Sequence, residues 1–531
     1  MKDGKVLPRS RDGFTPGTRG AEHTVSTTGL GGRAARGAAV TLSAQAARMI
    51  IQFAGVAILA RLLAPGDYGL VALALSIVTF GEIFRDFGLS SAAIQAPTLS
   101  RAERDNLFWL NTLIGVILTA LVFAAAPLVA NLSGHPPLEG ITQTLAPVFL
   151  LNGLTTQYRA NLVRGLRFKA IAATEVSSAA LGLVAAIVSA SMGVGYWALV
   201  IQQLTAAAFL LLGMAIAGRW LPRGYTRGVS MRRFMRFGIN LLGSQIVGYV
   251  ANNVDTWTIG TRFGEVTLGF YNRAFQLLMT PMNQIRTPST TVALPVLSKV
   301  SPDQPRFERF VRQGQLALAL PTGLAMALVA GGASAIIPVV LGDGWEVATP
   351  YLRLFAIAAL FQTLAFVGYW IYLARNLTNV LFRYSIATAI LKIVCILGGS
   401  YWGPIGLAVG YAVAPMLEWP ISFWWLGRHT EIPRRALYGN ALRVVAQAAI
   451  VGAASYTATE FSSSMSDVVS LLLGGVAGMV AYLLLIALIP PFRNDLKQVF
   501  AMAAMVRGKA GGKKGGNSQS PDEHTDPSTQ S

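Results

Sequence analysis

Long apolar stretches, separated by short polar segments, run along almost the whole chain. An α-helix rises about 1.5 Å per residue, so roughly 20 apolar residues can cross a bilayer core about 30 Å thick. The pattern therefore predicts an all-α integral membrane protein with about fourteen transmembrane helices. The predicted spans cover residues 38–63, 68–94, 106–132, 138–158, 170–192, 196–218, 237–260, 266–297, 310–341, 347–374, 379–401, 404–426, 441–458 and 467–489.

The polar ends of the chain contrast with these spans. Residues 1–37 are rich in Gly, Arg and Thr, and residues 490–531 are rich in Gly, Lys and Ser. Segments of this composition cannot bury enough apolar surface to fold by themselves. We expect both ends to be disordered cytoplasmic tails.

Basic residues outside the spans are concentrated in alternate connections, starting with the N-terminal tail. The intervening connections hold only Arg61 and Arg262. Because cytoplasmic loops of membrane proteins are enriched in Lys and Arg, this alternation gives the orientation. It predicts that both termini are cytoplasmic, which requires an even number of helices.

Composition excludes several classes of function. The chain is 53% hydrophobic and 13% charged, whereas a soluble domain is about one quarter charged. A net charge of +19 could suit nucleic acid, but the basic residues lie between apolar spans, so no nucleic-acid partner is expected. The one cysteine, Cys395, and four histidines in tails or loops form no metal-binding pattern. We expect no metal, no cofactor and no catalytic residues, and so no enzyme activity.

Two stretches about 200 residues apart resemble each other. They read ARLLAPGDYGLVALALSIVTFGEIFRDFGLSSAAIQ at 60–95 and TRFGEVTLGFYNRAFQLLMTPMNQIRTPSTTVAL at 261–294. The corresponding positions are Arg61 with Arg262, Gly69 with Gly269, and Arg85 with Arg286. This duplication predicts two six-helix bundles related by a pseudo-two-fold axis along the membrane normal.

The duplication also divides the chain. Residues 38–218 form the predicted N-lobe, residues 219–236 a basic cytoplasmic connection, and residues 237–426 the predicted C-lobe. Residues 427–489 add two C-terminal helices outside the repeat.

Seven segments, in a fixed order, carry a resemblance to a known family. They are ARLLAPGDYGLVAL at 60–73, DFGLSSAAIQ at 86–95, RGLRFK at 164–169, GVGYWALV at 193–200, LGFYNRAFQL at 268–277, VALPVLSK at 292–299 and LGDGWEVATPYLRL at 341–354. With these motifs, residues 38–426 resemble the Wzx-type polysaccharide transporter flippases of the MOP superfamily, especially the colanic-acid and exopolysaccharide exporters.

The resemblance implies a two-lobed, inverted-V protein of the bacterial cytoplasmic (inner) membrane. Such a flippase moves undecaprenyl-pyrophosphate-linked oligosaccharide repeat units to the periplasmic leaflet, for exopolysaccharide, capsule or lipopolysaccharide biosynthesis. The implied partners are this lipid-linked substrate, membrane lipids, a polysaccharide polymerase and a chain-length co-polymerase.

Two predicted helices carry polar stripes, because their polar residues recur every three or four positions. The stripe on the first span contains Gln45, Arg48 and Gln52. The stripe on the seventh span contains Asn240, Ser244 and Asn252. Since the two spans correspond in the repeat, both stripes are predicted to line one substrate-binding cavity between the lobes. The alternative is hydrogen bonding between helices inside each lobe.

Further charges inside the spans are candidates for the same cavity. A charge at the bilayer centre costs about 2.5–3.5 kcal/mol and needs a partner or a polar cavity. The additional cations proposed to bind substrate are Arg85, Arg273, Arg286 and Lys392. Arg85 could instead be neutralised by Glu82, one helical turn away.

Asp255 and Glu418 are candidates to bind a coupling ion, and Glu418 is also the expected partner of Lys392. Cations outnumber acids inside the spans, which suits a pyrophosphate or an acidic sugar. Two alternatives stay open: a multidrug/cation antiporter of the same superfamily, and a non-transporting scaffold of a polysaccharide assembly complex.

Overall fold

A computed structural model describes residues 30–86, 89, 93–94, 99–228 and 231–511. Throughout these ranges the regular structure is helical and no strand occurs. Ten stretches of the described chain are long and apolar enough to cross a membrane. The protein is therefore a multi-pass, all-helical membrane protein, as predicted.

The N-lobe consists of seven described helices. They are α1 (Leu30–Ala60), α2 (Pro65–Asp86), α3 (Arg101–Ser133), α4 (Pro137–Leu145), α5 (Pro147–Arg164), α6 (Phe168–Ser191) and α7 (Trp197–Gly218). A capping box starts α3, because Ser100 and Glu103 each accept the other's backbone N–H. The fourth predicted span, 138–158, is divided between α4 and α5 at Pro147, whose ring cannot donate a helical hydrogen bond.

The C-lobe consists of α8 (Arg232–Val300), α9 (Gln304–Gly331), α10 (Ala333–Leu341), α11 (Thr349–Ala374), α12 (Thr378–Gly399) and α13 (Gly403–Leu426). The predicted seventh and eighth spans form the continuous segment α8, in which two helices meet at a kink at Gly264. Gly264 has φ 86° and ψ 169°, a conformation that residues with a Cβ rarely adopt.

The predicted number of fourteen spans is not fully matched by the ten apolar stretches. One stretch, Thr378–Leu426, contains two predicted spans. The predicted spans at 138–158, 237–260 and 266–297 fall outside the ten. Polar side chains interrupt these segments along their length. The count of fourteen therefore stays a prediction.

The predicted disorder of the C-terminal tail is wrong for its first part. After α14 (Arg434–Phe461) and α15 (Asp467–Leu488), a further helix, α16 (Pro490–Gly511), packs on α9 and α15. Arg443 Nε lies 2.6 Å from Asp495 Oδ2, and Phe492 is buried. The polar composition of this segment does not show that one ion pair and one buried apolar side chain hold the helix against the bundle. At the other end, α1 already begins at Leu30, inside the predicted N-terminal tail. The remaining tail residues, 1–29 and 512–531, lie outside the described residues.

The two lobes meet where α2 packs against α8. A Cβ atom added to Gly69 would overlap the backbone carbonyl of Glu265, and one added to Gly269 would overlap that of Pro65. The two contacts are reciprocal between the repeat copies, as a pseudo-two-fold relation requires. Only glycine permits the backbones to approach so closely on both sides of the axis.

Loops from each lobe close over the same end of the molecule. Trp345 Nε1 donates to the Ala60 carbonyl oxygen over 2.9 Å. In the opposite direction, His135 Nε2 lies 3.2 Å from the Gly260 carbonyl oxygen and its Nδ1 lies 3.0 Å from Glu265 Oε2. Each loop thus caps the end of the other lobe's first helix. The lobes are closed at this end, which the arginine distribution predicts to be periplasmic.

An aromatic cluster inside the C-lobe holds α8, α11 and α13 together. Phe355 of α11 is fully buried, and its ring centre lies 4.9 Å from Tyr271, 5.4 Å from Phe275 and 5.4 Å from Tyr411. Edge-to-face pairs of this kind add about 0.5–1.5 kcal/mol each beyond the buried area. The cluster gives the second half of α8 a rigid support.

Candidate functional site

A cavity of about 480 Å³ lies between α1, α2 and α7 of the N-lobe and α8 of the C-lobe. We call it the central cavity. Its polar side chains come from both lobes. They are Arg48, Gln52, Ser76, Thr79, Gln202, Gln203, Asn253, Thr256, Asn272, Arg273 and Gln276. Within the described part of the chain, this lining is rich in amide groups and holds two arginines and no carboxylate.

Arg273 is the most unusual side chain of the central cavity. It is only 9% exposed, and its guanidinium carbon lies 3.9 Å from the centre of the Tyr68 ring. The buried Arg273 Nε and Tyr68 hydroxyl both lack a hydrogen-bond partner in the described part of the chain. An unpaired buried cation is costly, and the ring compensates for only part of this cost. The cavity therefore presents unsatisfied positive charge next to an unsatisfied hydroxyl.

Arg48 also lines the central cavity, but it has a counter-ion. Its Nη1 lies 2.6 Å from Glu175 Oε2 on α6, and its other terminal nitrogen donates to Gln45. Arg159 shares the same carboxylate, with Nη2 3.2 Å from Oε1. Glu175 thus neutralises part of the charge of the first polar stripe, a role that its position in the sequence did not reveal.

A second cavity, of about 990 Å³, lies within the C-lobe between α8, α11, α12 and α13. We call it the C-lobe cavity. Lys392 Nζ donates to Asn252 Oδ1 over 3.0 Å and lies 5.0 Å from the centre of the Tyr411 ring. Glu418 lines the same cavity and accepts from the Tyr384 hydroxyl over 3.3 Å. The predicted pair of Lys392 with Glu418 is therefore replaced by two separate hydrogen bonds.

Arg286 supplies a second cation to the C-lobe cavity. Its Nη1 donates to Gln362 Oε1 over 3.0 Å, and its Nη2 donates to the Ala359 carbonyl oxygen over 3.3 Å. These acceptors are neutral, so the positive charge of Arg286 remains available to a bound anion. Polar neutral partners hold the side chain in place without cancelling its charge.

The predicted single cavity is two cavities, because the first half of α8 lies between them. Asn253 and Thr256 face the central cavity, whereas Gly248 and Asn252 face the C-lobe cavity. Neighbouring helix positions point about 100° apart, so one helix can line two spaces. The stripe on α1 therefore serves the central cavity, and the described part of the stripe on α8 serves the C-lobe cavity.

Five predicted site residues do not line either cavity or cannot be placed. Gln45 accepts from Arg48 but is not among the residues that line the central cavity. Arg85 donates to Glu82 and lies 3.4 Å from the Asn152 carbonyl oxygen, inside the N-lobe. Asp255 is buried and accepts from the Tyr271 hydroxyl over 2.7 Å. The side chains of Asn240 and Ser244 lie outside the described residues.

Several central-cavity residues were missed in the sequence. The pair Gln202 and Gln203 interrupts an apolar span, and Asn272 and Gln276 are one turn apart on α8. Amide side chains inside membrane helices indicate a polar lining, but a selection of candidates by charge does not include them. No group of three or more His, Cys, Asp or Glu side chains suited to a metal occurs in the ranges that the structure covers.

The fold is similar to those of two solved membrane transport proteins. The lipid II flippase MurJ, in an inward closed conformation, is similar over 83% of this chain and 97% of its own, with a TM-score of 0.65 and 14% identity. A variant of the MATE transporter VcmN of Vibrio cholerae is similar over 76% of this chain and 98% of its own, with a TM-score of 0.50 and 13% identity.

Residues 58–350 match the family model described as polysaccharide biosynthesis protein, and the chain belongs to this family. The lipopolysaccharide biosynthesis protein WzxC of Escherichia coli (strain K12) is 24% identical over 377 residues, which are 69% of this chain and 75% of the relative. The teichuronic acid biosynthesis protein TuaB of Bacillus subtilis (strain 168) is 25% identical over 444 residues, 82% of this chain and 92% of the relative. The predicted resemblance to polysaccharide transporters is confirmed.

Proposed function

We propose that this protein is a flippase that moves undecaprenyl-pyrophosphate-linked oligosaccharide repeat units across the bacterial cytoplasmic membrane. The family, the multi-pass helical fold and the cationic central cavity support this proposal. Relatives described as lipopolysaccharide, teichuronic acid and succinoglycan biosynthesis proteins suggest a sugar cargo. The similarity to a lipid II flippase supports the fold on which such a transport cycle operates.

Arg273 carries the proposal. It is buried, has no carboxylate partner in the described chain and faces the central cavity beside the Tyr68 hydroxyl. A diphosphate oxygen placed there would satisfy the guanidinium and the hydroxyl together, because arginine forms strong charge-assisted bonds to phosphate. A cationic drug would meet unpaired positive charge at the same position.

The same contact links binding to the motion of the lobes. Tyr68 belongs to the N-lobe and Arg273 to the C-lobe, close to the glycine contact that closes one end of the molecule. Separating the lobes at that end would remove the ring from the guanidinium. Alternating access would thereby expose the bound diphosphate to the periplasmic side as the closure opens.

The C-lobe cavity is proposed to bind the sugar portion of the substrate. It combines Arg286 and Lys392 with the Tyr411 ring and several amides, a lining suited to hydroxyl and carboxylate groups. Glu418 in this cavity is our candidate for a coupling cation. Asp255, which accepts from Tyr271, remains the second candidate.

Location, orientation and partners belong to the same proposal. The alternation of basic loops supports an inner-membrane protein with both termini in the cytoplasm. A polysaccharide polymerase and a chain-length co-polymerase are proposed partners, because both would act on the repeat units that this protein delivers.

The experiment neutralises Arg273 in cells that depend on this protein for surface polysaccharide. A charge-assisted bond contributes about 1.5–3 kcal/mol, so Arg273→Gln should weaken substrate engagement by roughly ten- to a hundredfold. Arg273→Lys should retain partial export, because it keeps the charge but loses the planar fork. Polymer output is measured per amount of membrane-inserted protein.

The matched control is Arg353→Gln. Arg353 is another intramembrane arginine, but it pairs with Glu460 at 3.0 Å, away from both cavities. Its loss should leave polymer output close to normal. Unchanged polymer in Arg273→Gln, together with altered sensitivity to cationic dyes, would favour the antiporter. Unchanged polymer and unchanged dye sensitivity would favour the scaffold.

A further inference from the structure

A third pocket, of about 660 Å³, opens on the surface of the N-lobe. None of its lining residues lines the central cavity or the C-lobe cavity. It is formed by the beginning of α3, the end of α7 and Asn161 of α5. This end of the bundle carries the basic loops and is predicted to be cytoplasmic. We call it the interface pocket.

The interface pocket is positively charged. Arg101, Arg104 and Arg219 line it, and no carboxylate belongs to its lining among the residues that the structure describes. The neighbouring Asp105 carboxylate interacts electrostatically with Arg104. Neither Arg101 nor Arg219 forms an ion pair with any residue that the structure describes, and both are exposed. Three arginines around one concave surface repel each other, so a bound anion would lower their energy.

Two residues that line the interface pocket carry buried donors without partners. The Arg104 guanidinium carbon lies 4.4 Å from the centre of the Trp220 ring, and Arg104 Nη1 donates to Asn161 Oδ1 over 3.2 Å. Arg104 Nε and Trp220 Nε1 are nevertheless buried and lack a partner among the described atoms. Buried donors without acceptors are costly and are rarely left so without a bound group.

The backbone of Arg219 is also unusual. Its φ of 47° and ψ of 37° place it in the left-handed region, which a residue with a Cβ adopts only at some cost. A left-handed residue commonly ends a helix, and Leu166 and Asn376 have the same conformation just after other helices of this chain. Here the conformation ends α7 and directs the chain past the pocket.

Apolar side chains flank the charged part of the interface pocket. Ile216 is 77% exposed and Leu221 is 81% exposed. A tryptophan between basic residues and exposed aliphatic groups is typical of the region where membrane headgroups meet acyl chains. The pocket therefore offers cations to a phosphate and an apolar rim to a lipid tail.

We propose that the interface pocket binds the phosphate headgroup of an anionic membrane lipid in the cytoplasmic leaflet. Arg101, Arg104 and Arg219 surround the phosphate, and Trp220 lines the same pocket. The acyl chains lie along Ile216 and Leu221. This inference does not depend on the proposed transport of sugars, since none of these residues lines the central or the C-lobe cavity.

The test uses the full-length chain, purified in a neutral detergent and analysed by native mass spectrometry. Dioleoylphosphatidylglycerol is titrated as the anionic probe, and dioleoylphosphatidylcholine as a probe with the same phosphate and tails but no net charge. The variants are Arg101→Gln, Arg219→Asn and their combination. Asparagine tolerates the left-handed conformation, so Arg219→Asn removes the charge and keeps the backbone conformation. Arg227→Gln is the control, because Arg227 is exposed on the connection outside the pocket.

We expect tight binding of one phosphatidylglycerol and weak binding of phosphatidylcholine. Each arginine near a membrane surface contributes about fivefold in affinity, so the double variant should bind roughly 25-fold more weakly. Arg227→Gln should bind like the unmodified protein. Equal affinity for both lipids, or an unchanged affinity in the double variant, would overturn the proposal. Displacement of phosphatidylglycerol by millimolar inorganic phosphate would overturn the assignment to a lipid.

Discussion

The reciprocal glycine contact between the lobes permits a sharp prediction about the transport cycle. Replacing Gly69 by alanine adds one methyl group where the Glu265 carbonyl already lies. Real Cβ atoms essentially never approach another atom closer than 3.0 Å, and this one would be far closer. The contacting atom is backbone, so it cannot turn away as a side chain could. The lobes themselves must separate at this end.

The size of the effect follows from the cost of overpacking. Forcing an extra methyl group into a packed contact costs about 1–3 kcal/mol. This cost applies only to the closed arrangement, because the contact is absent once the lobes part at this end. The equilibrium should therefore shift toward the open arrangement by roughly 5- to 150-fold. Since Gly269 makes the mirror contact with Pro65, Gly269→Ala should have an effect of similar size.

A disulfide across the lobes can measure this shift. A Cβ added to Gly66 would lie 3.5 Å from Val266 Cγ2, so cysteines at these two positions are close enough to be oxidised to a disulfide. The only native cysteine, Cys395, is replaced by alanine. We expect rapid cross-linking in this background and much slower cross-linking when Gly69→Ala is added.

The control for the disulfide assay is Gly398→Ala. Gly398 also lies in a membrane helix, but a Cβ there would meet no atom within 4 Å. Alanine is a better helix former than glycine by about 1 kcal/mol, so this variant should insert and cross-link normally. Equal cross-linking in Gly69→Ala and the control would refute the reasoning. An effect at Gly69 without one at Gly269 would refute the symmetry of the contact.

Three further predictions concern accessibility, docking and orientation. Cysteine at position 48, in the Cys395→Ala background, should react with a small charged thiol reagent, because Arg48 lines the central cavity; protection in every condition would contradict this. Arg443→Gln should leave Asp495 buried and unpaired, so limited proteolysis should cut α16 faster; an unchanged rate would show that the pair does not hold the helix. Reporter fusions at His135 should be periplasmic and at Arg227 cytoplasmic, and reversal at both would invert the topology.

The sequence alone determined the class of the fold. Apolar stretches of bilayer length require helices, because a membrane offers the backbone no other hydrogen-bond partners. The repeat determined that Gly69 and Gly269 are equivalent, and the structure shows them in reciprocal contacts across the lobe interface. Charged residues inside apolar spans identified Arg48, Arg273, Arg286 and Lys392 as candidates, and the structure places all four on cavities.

Only the tertiary structure decided which of these cations are neutralised. Arg48 pairs with Glu175, which lies 127 residues further along the chain. Arg273 packs on the Tyr68 ring and has no carboxylate partner among the described residues. Helical periodicity indicates that one face of a helix is polar, but it does not indicate which other helix packs against that face. Arg85 and Arg286 are equivalent in the repeat, yet Arg85 is paired inside a lobe and Arg286 faces the C-lobe cavity.

Long-range packing also determines two features that the composition did not predict, the helix α16 and the interface pocket. The C-terminal helix α16 is held by Asp495, which is polar in the sequence but buried beside Arg443 in the structure. The interface pocket joins Arg101, the first residue of α3, to Arg219, which follows α7, and the two carry no common motif. Local sequence fixes the helices because their hydrogen bonds are local. The sites depend on contacts between distant segments, whose geometry exists only after the lobes have packed.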